Sequence, residues 1–235
     1  MLAESIYRRD YVGELITDPR QDPPQNIMIK PRHVFRRENN KGRAMVIGNG
    51  LSRQHPTFEL MMKTNSKRPI PGYKIVYACN GAVWDINADY YVINNRVLMG
   101  QFHDKRLWAQ FFLPWDMFLE YRSAHMIPMI SGQKLDAGSY AAFMACFDGN
   151  DDIFLFGFDG QKETVANIYS GKPGYEEANT LTDANTWQEN LATVMRAYPS
   201  HNFYRVGNSK TPDAWRDLPN FREVSYNDAV RLGDF

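Results

Sequence analysis

The stretch Ala44-Met-Val-Ile-Gly-Asn-Gly-Leu-Ser-Arg53 constrains the fold more than any other: a short apolar run breaks into Gly48, Asn49 and Gly50 and then into small polar residues. A continuous apolar run closed by a glycine-rich turn is the pattern of a buried first strand in a nucleotide-binding α/β domain, covered on both faces. Glycine has no Cβ, so Gly48 and Gly50 are able to take positive φ and to bring the backbone within hydrogen-bonding distance of a phosphate or ribose. The run is not a full dinucleotide fingerprint, because the third glycine and the acidic residue about twenty positions on are not where that pattern needs them. A tight strand-to-helix turn with no ligand reads the same way.

With 235 residues and 43% hydrophobic residues, the chain is long enough to bury one large α/β core. Lys plus Arg and Asp plus Glu number 27 each, so no net field steers the protein toward nucleic acid or an anionic membrane, and an anionic ligand has to be held locally. Met1–Arg9 carries no apolar signal-peptide segment and no later window is apolar enough to span a bilayer, which predicts a soluble, unsecreted protein with no membrane partner. Cys79 and Cys146 fall in a strand end and a helix interior and read as buried thiols. The five histidines are scattered without metal-ligand spacing, so no metal site is expected.

Residues 1–43 hold Pro19, Pro23, Pro24 and Pro31 and nine Lys or Arg against six Asp or Glu, and read as an irregular N-terminal arm. Packing on its own domain and packing on a neighbouring subunit are both open for such an arm. From residue 44 to 235 one Rossmann-like domain is expected. Strands are predicted at 44–47, 73–79, 90–93, 126–130, 153–156 and 203–206, and helices at 57–64, 104–112, 139–147 and 184–198. That alternation gives a mainly parallel sheet with helices on both faces, whose ligand site lies at the carboxyl ends of the strands.

The residues that close each strand are therefore the candidates. Asn80 and Asn94 end the second and third strands; each amide both donates and accepts, which suits a base edge or a ribose hydroxyl, although asparagine is also a common turn residue. Gly138 and Ser139 precede an apolar helix, where Ser139 would cap the helix and free N–H groups would face an anion. Asp159 ends the strand at 153–156 and is the leading acidic candidate, as base, ribose acceptor or loop cap. Beyond it, Asn167–Tyr175 has two tyrosines, Tyr169 and Tyr175, and Lys172 among spaced glycines, the composition of a lid over phosphate or of a plain surface loop.

Taken in order, Gly48–Ser52, Cys79–Asn80, Gly138–Ser139 and Gly157–Asp159 resemble the family 42 sialyltransferases and the related 6-hydroxymethylpterin pyrophosphokinase-like family over roughly residues 44–206. The run from GNGLSR to YACNG, the NIY loop and the FYRV strand are most similar to bacteriophage proteins of that superfamily. The resemblance implies a CMP-linked sugar donor lined by Gly48, Asn49, Gly50, Ser52, Asn80, Asn94, Gly138 and Ser139, with no cofactor beyond that substrate. It also implies metal-independent transfer with tyrosine hydroxyls, here Tyr169 and Tyr175, on the donor phosphate and a histidine as base. The chain departs from the pattern at the base: no histidine lies between Asp159 and Asp183, so Asp159 or His55 would have to serve. The pyrophosphokinase-like reading needs magnesium, for which a lone Asp159 is thin provision.

These readings predict a glycosyltransferase-like enzyme that binds a nucleotide-sugar, cytoplasmic, in a host cell if phage-encoded. The alternative is a phage virion or assembly protein that keeps the fold without catalysis and forms homo-oligomers through its arm. That alternative draws on the aromatic stretch from Trp108 to Phe118 as interface anchors or, equally, as core. Nucleic acid comes third, through Arg8, Arg9, Arg36, Arg37, Lys41 and Arg43, whose field the interleaved acids blunt.

Overall fold

The computed structural model describes residues 14–18, 25–29, 42–65, 74–103, 110–121, 124–127, 134–159, 167–175 and 184–235. Glu14–Asp18 (β1) and Gln25–Ile29 (β2) pair antiparallel as a two-stranded ribbon, so this part of the N-terminal region is regular where its proline content reads as linker. The arm cations Arg8, Arg9, Arg36, Arg37 and Lys41 lie outside the described residues.

Gly42–Ile47 forms β3, followed by Ile75–Cys79 (β4), Tyr90–Val92 (β5), Gln110–Leu113 (β6), His125–Met126 (β7), Asn150–Phe156 (β8), Asn202–Val206 (β9) and Phe221–Val224 (β10). They make one all-parallel sheet in the order β10-β9-β8-β3-β4-β5-β6-β7. The helices are Pro56–Asn65 (α1), Arg96–Phe102 (α2), Trp115–Phe118 (α3), Ala137–Phe147 (α4), Ala184–Ala197 (α5), Asp213–Arg216 (α6) and Tyr226–Gly233 (α7).

Side chains alternate across each strand, so β3 feeds two cores at once. Ala44 and Val46 join α4, α5 and Trp215 of α6 on one face; Met45 and Ile47 join α1, α2 and α7 on the other. All four are fully buried, which explains why the strand reads as an unbroken apolar run. Helix α4 is buried from Ala137 through Cys146 because it lies between the sheet and α5, and its composition is accordingly apolar on every side. No helix among the described residues is long and apolar enough to cross a membrane.

The predicted helix over 104–112 is overturned where it is described: Gln110–Leu113 is strand β6, with Phe111 and Phe112 pointing into opposite cores. Residues 104–109, Trp108 among them, lie outside the described residues, as do 128–130 of the predicted 126–130 strand. Phe111, Phe112, Leu113 and Met117 are all buried, so this aromatic stretch is core on its described side rather than a set of exposed anchors. Strand β10 and helices α2 and α7 went unpredicted: β10 is a half-polar edge strand, and both helices carry too few apolar positions to show a clear period.

The order of strands creates the crevice. The chain builds outward from β3 to β7 and then returns to lay β8 on the other side of β3, so the turns leaving β3 and β8 diverge to opposite faces. Ligands of open parallel sheets bind outside the carboxyl ends of the strands at such a reversal.

Candidate functional site

At that reversal the β3 and β8 turns are held against each other by their backbones. Gly48 N donates to Phe156 O at 2.7 Å and Gly50 N to Gly157 O at 2.9 Å. Neither Gly48 nor Gly50 takes the positive φ expected of them; that conformation belongs to Gly157, at +73°, and to Asn80, at +41°. The two glycines are required for closeness instead: a Cβ on Gly48 would stand 2.5 Å from the Gly157 carbonyl oxygen, and one on Gly50 would run into the Asp159 carboxylate. Asp159 Oδ2 accepts from Ser52 N at 2.7 Å, so this carboxylate fastens the 3-10 turn Leu51–Gln54 to the end of β8.

The loop 167–175 folds over the same rim. Ile168 N donates to Asn49 O at 2.9 Å, and Gly50 and Asn167 form an isolated bridge. Tyr175 Oη accepts from Asn49 Nδ2 at 2.7 Å and from Gly81 N at 2.9 Å, which leaves its own proton outside both bonds. Asn80 and Asn94 are paired, Asn80 Nδ2 to Asn94 Oδ1 at 2.9 Å and Asn94 N to Asn80 Oδ1 at 3.0 Å. Asn95, which the sequence reading passed over, caps α2 through Oδ1 and donates to Gly174 O at 2.8 Å, tying β5 to the loop. Five of the candidates, Asn49, Gly50, Asn80, Asn94 and Tyr175, therefore meet around one rim, and two buried atoms there, Asn49 Oδ1 and Ser52 Oγ, have no hydrogen-bond partner.

Tyr169 has a different place. It is 1% exposed, its hydroxyl donates to Asp85 and accepts from Arg53 Nη2 at 2.5 Å, and burial pushes its pKa up. Arg53 in turn reaches Gly48 O at 3.0 Å and both Asp85 oxygens at 2.6 Å, with its side chain 3% exposed. One guanidinium thus ties together the β3 turn, the turn after β4 and the loop 167–175. Burial also raises the Tyr175 pKa, so both phenols stay protonated at neutral pH.

Gly138 and Ser139 depart from expectation. The N-cap of α4 is Asp136, whose Oδ1 accepts from Ser139 N at 2.9 Å and whose Oδ2 accepts from Ser139 Oγ at 2.6 Å. Ser139 is fully buried, and the Phe158 ring stands so near Gly138 that a Cβ there would lie 2.9 Å from Cε1. The helix end read as an anion site is already served by its own carboxylate, which the aspartate three residues before Ser139 signals. Burial raises the Asp136 pKa against the lowering by Ser139 and Asn190. A carboxyl that keeps its proton longer in the folded than in the unfolded chain loses stability as pH rises through its raised value. Asp136→Asn, which keeps the cap, is expected to flatten stability between acid and neutral pH, whereas Asp136→Ala loses about 1 kcal/mol throughout; urea unfolding across pH 4–7 distinguishes them.

His55 does not join the rim. Its ring stacks on Tyr226 with centroids 4.1 Å apart, and its Nδ1 accepts from Thr57 N at 3.2 Å. Both cysteines are buried and unpaired, and burial pushes Cys79 up to about 12, so it is no nucleophile at neutral pH. Arg205 is a second buried cation that sequence reading missed, although an arginine inside Phe203–Val206 is its signal. It is 1% exposed and bonds Glu223, Ser209 and Lys210 O; burial lowers its pKa to about 10, against the opposing pull of Asp159. Among the described residues no His, Cys, Asp and Glu group is arranged to hold a metal ion.

Against solved structures, the sialyltransferase CST-II in complex with CMP matches with a TM-score of 0.50 and 13% identity, covering 77% of this chain and 87% of that one. The chain shares its fold with CST-II. The monofunctional α-2,3-sialyltransferase Cst-I from Campylobacter jejuni aligns at a TM-score of 0.49 and 15% identity over 81% of this chain and 83% of its own. An α-2,3-sialyltransferase from Campylobacter jejuni in apo form aligns at 0.46 and 15% identity over 83% and 86%. No protein-family model matches the sequence, and no curated protein matches it. The CST-II likeness spans most of both chains, so it takes in the whole parallel sheet and not one motif.

Proposed function

We propose that this chain is a glycosyltransferase that binds a nucleotide-sugar, CMP-linked by preference, at the rim of β3, β4 and β5 and transfers the sugar without a metal ion. The observation that carries the reading is the junction of Asn49, Gly81 and Tyr175. It lies at the reversal of the sheet, holds a phenol proton committed to no partner, and leaves one end of a buried amide unpaired. A buried polar atom without a partner is a vacancy that a ligand's hydroxyl or carbonyl fills with a net gain. The fold likeness is to a protein solved with CMP.

In this reading Asn49, Ser52, Asn80 and Asn94 face the nucleoside, and the Tyr175 hydroxyl donates to the donor phosphate as charge builds on the leaving nucleotide. Tyr169 holds Arg53 instead of the phosphate. Asp159 is the group assigned to the acceptor's proton, since its Oδ2 is engaged by Ser52 N and its Oδ1 is left for a hydroxyl. The domain boundary proposed with it is a catalytic unit over 44–235 and a separate N-terminal region over 1–43; phage origin and self-assembly through that region belong to the same proposal.

Isothermal titration with CMP, UDP and GDP tests the reading. CMP is expected to bind, and Asn49→Ala or Tyr175→Phe to weaken it about tenfold, the loss of one hydrogen bond to a charged or buried group. Asp159→Asn, which still accepts from Ser52 N, is expected to keep CMP affinity and to lower turnover of a CMP-linked sugar by about a hundredfold or more. Absence of CMP binding at millimolar ligand, or binding indifferent to Asn49→Ala, sinks the proposal.

A further inference from the structure

A cleft of about 470 Å³ lies beside the rim on the α1 face, between the Leu51–Gln54 turn, α1 and the turn after β4. We propose that it is a saccharide-binding site, which on the reading above receives the acceptor glycan.

Its floor is apolar: Phe58 and Ile86 are buried there, with Met62 and Ile168 beside them. Around that floor stand planar hydrogen-bonding side chains, Gln54, His55, Asp85 and Asn87, each exposed. The charges cancel in pairs. Arg53 is bound to Asp85 at 2.6 Å and Lys63 to Glu59 at 2.6 Å, so the cleft offers no surplus cation for a phosphate and no surplus anion for a cationic ligand or metal ion. A neutral ligand is left, one with polar groups around its edge and C–H surface on its face. A sugar ring is that ligand: its hydroxyls pair with planar amides and carboxylates, and its C–H face rests on the apolar floor.

The polar groups are also held in place before a ligand arrives. Arg53 and Tyr169 fix the Asp85 carboxylate from the protein side while the side chain remains 50% exposed, so its outward lone pairs face the cleft as two acceptors at fixed spacing. Thr57 N donates to His55 Nδ1, which leaves the neutral ring's proton on Nε2 as a donor, and stacking on Tyr226 holds the ring plane. Prior ordering of this kind lowers the entropy that binding has to overcome. The volume accommodates more than one ring and lies within the range of small-molecule sites.

The test uses the full chain, labelled with nitrogen-15 and titrated separately with galactose, glucose, N-acetylglucosamine, lactose and maltose, and in parallel with CMP. At least one sugar is expected to shift the amide signals of Gln54, His55 and Asn87, and the double variant Gln54→Ala, Asn87→Ala to raise its Kd about tenfold or more. Both residues are exposed, and neither belongs to the nucleotide rim, so the variant's CMP titration serves as the check that the fold is intact. Should all five sugars leave those signals unmoved, or should the double variant bind them as tightly as the parent, the proposal is overturned. Sugar shifts in a protein that ignores CMP would retain the saccharide site and remove the nucleotide reading. CMP binding with silent sugars would do the reverse.

Discussion

Arg53→Met is expected to lower stability by about 2–4 kcal/mol, below the loss for a wholly buried ion pair because Asp85 is half exposed. The methionine fills the space but supplies no donor. Gly48 O loses its partner, Asp85 loses its counter-ion, and Tyr169 keeps its bond to Asp85 with nothing to position the pair. For a chain of this size that loss is a fall of about 5–15 °C in melting temperature, read by circular dichroism. Arg53→Lys is expected to recover only part of it, since an ammonium is a point charge and cannot fork between a carbonyl, a carboxylate and a phenol in three different loops. Well below the melting temperature, either variant is expected to bind CMP less tightly than the parent, because the loop that carries Tyr175 begins at Asn167 and is tied down through Tyr169. A melting temperature within a degree or two of the parent would remove Arg53 from its place as the joint of the rim.

Gly81→Ala is expected to be the most damaging single methyl group at the site. A Cβ there would overlap Tyr169 Cδ2 and stand 2.8 Å from its Cε2 and 2.9 Å from Tyr175 Cε2. Neither ring has anywhere to go, being 1% and 6% exposed. Overpacking of this kind costs about 1–3 kcal/mol, but the larger effect is local: Gly81 N is one of the two donors that hold the Tyr175 hydroxyl, and pushing the ring away breaks that bond. CMP affinity is expected to fall at least about tenfold, by titration, in a protein that still unfolds cooperatively. Gly100→Ala is the control, since a Cβ in that exposed α2 position meets only the Tyr121 hydroxyl at 3.7 Å. It is expected to stabilise by up to about 1 kcal/mol through helix propensity.

The parts of this molecule that were readable from residues alone are those whose cause is local. An apolar run with a glycine turn announces β3, and the polar residues closing β4, β5 and β8 announce the rim, because parallel strands must be apolar along their length and can be polar only at their ends. The glycines of that turn were found for a reason the structure replaces: Gly48 and Gly50 make room for Gly157 and Asp159, more than a hundred positions away. Arg53 and Asp85 were invisible for the same cause. Their pairing crosses 32 positions and reaches Tyr169 across 116, and nothing in the neighbourhood of either residue marks it as buried. Strand β6 was misread because the residues before it continue an apolar spacing that suits a helix, and only its place between β5 and β7 makes it extended. At α4 the cap was displaced by three residues because serine and aspartate are both good caps, and the choice between them rests on which one is held by Asn190.

The seam between β3 and β8 bears on how the chain is made. Strand β3 and its partner on that side are separated by about a hundred residues, which a ribosome adding about 5–20 residues per second needs several seconds or more to deliver. Throughout that interval the most apolar strand of the sheet has β4 on one flank and an open ladder of N–H and C=O groups on the other. Any nascent chain released before Asn150 carries that open flank permanently, so C-terminally truncated forms are expected to be retained by chaperones or to associate edge to edge, while the finished chain closes the gap as β8 arrives.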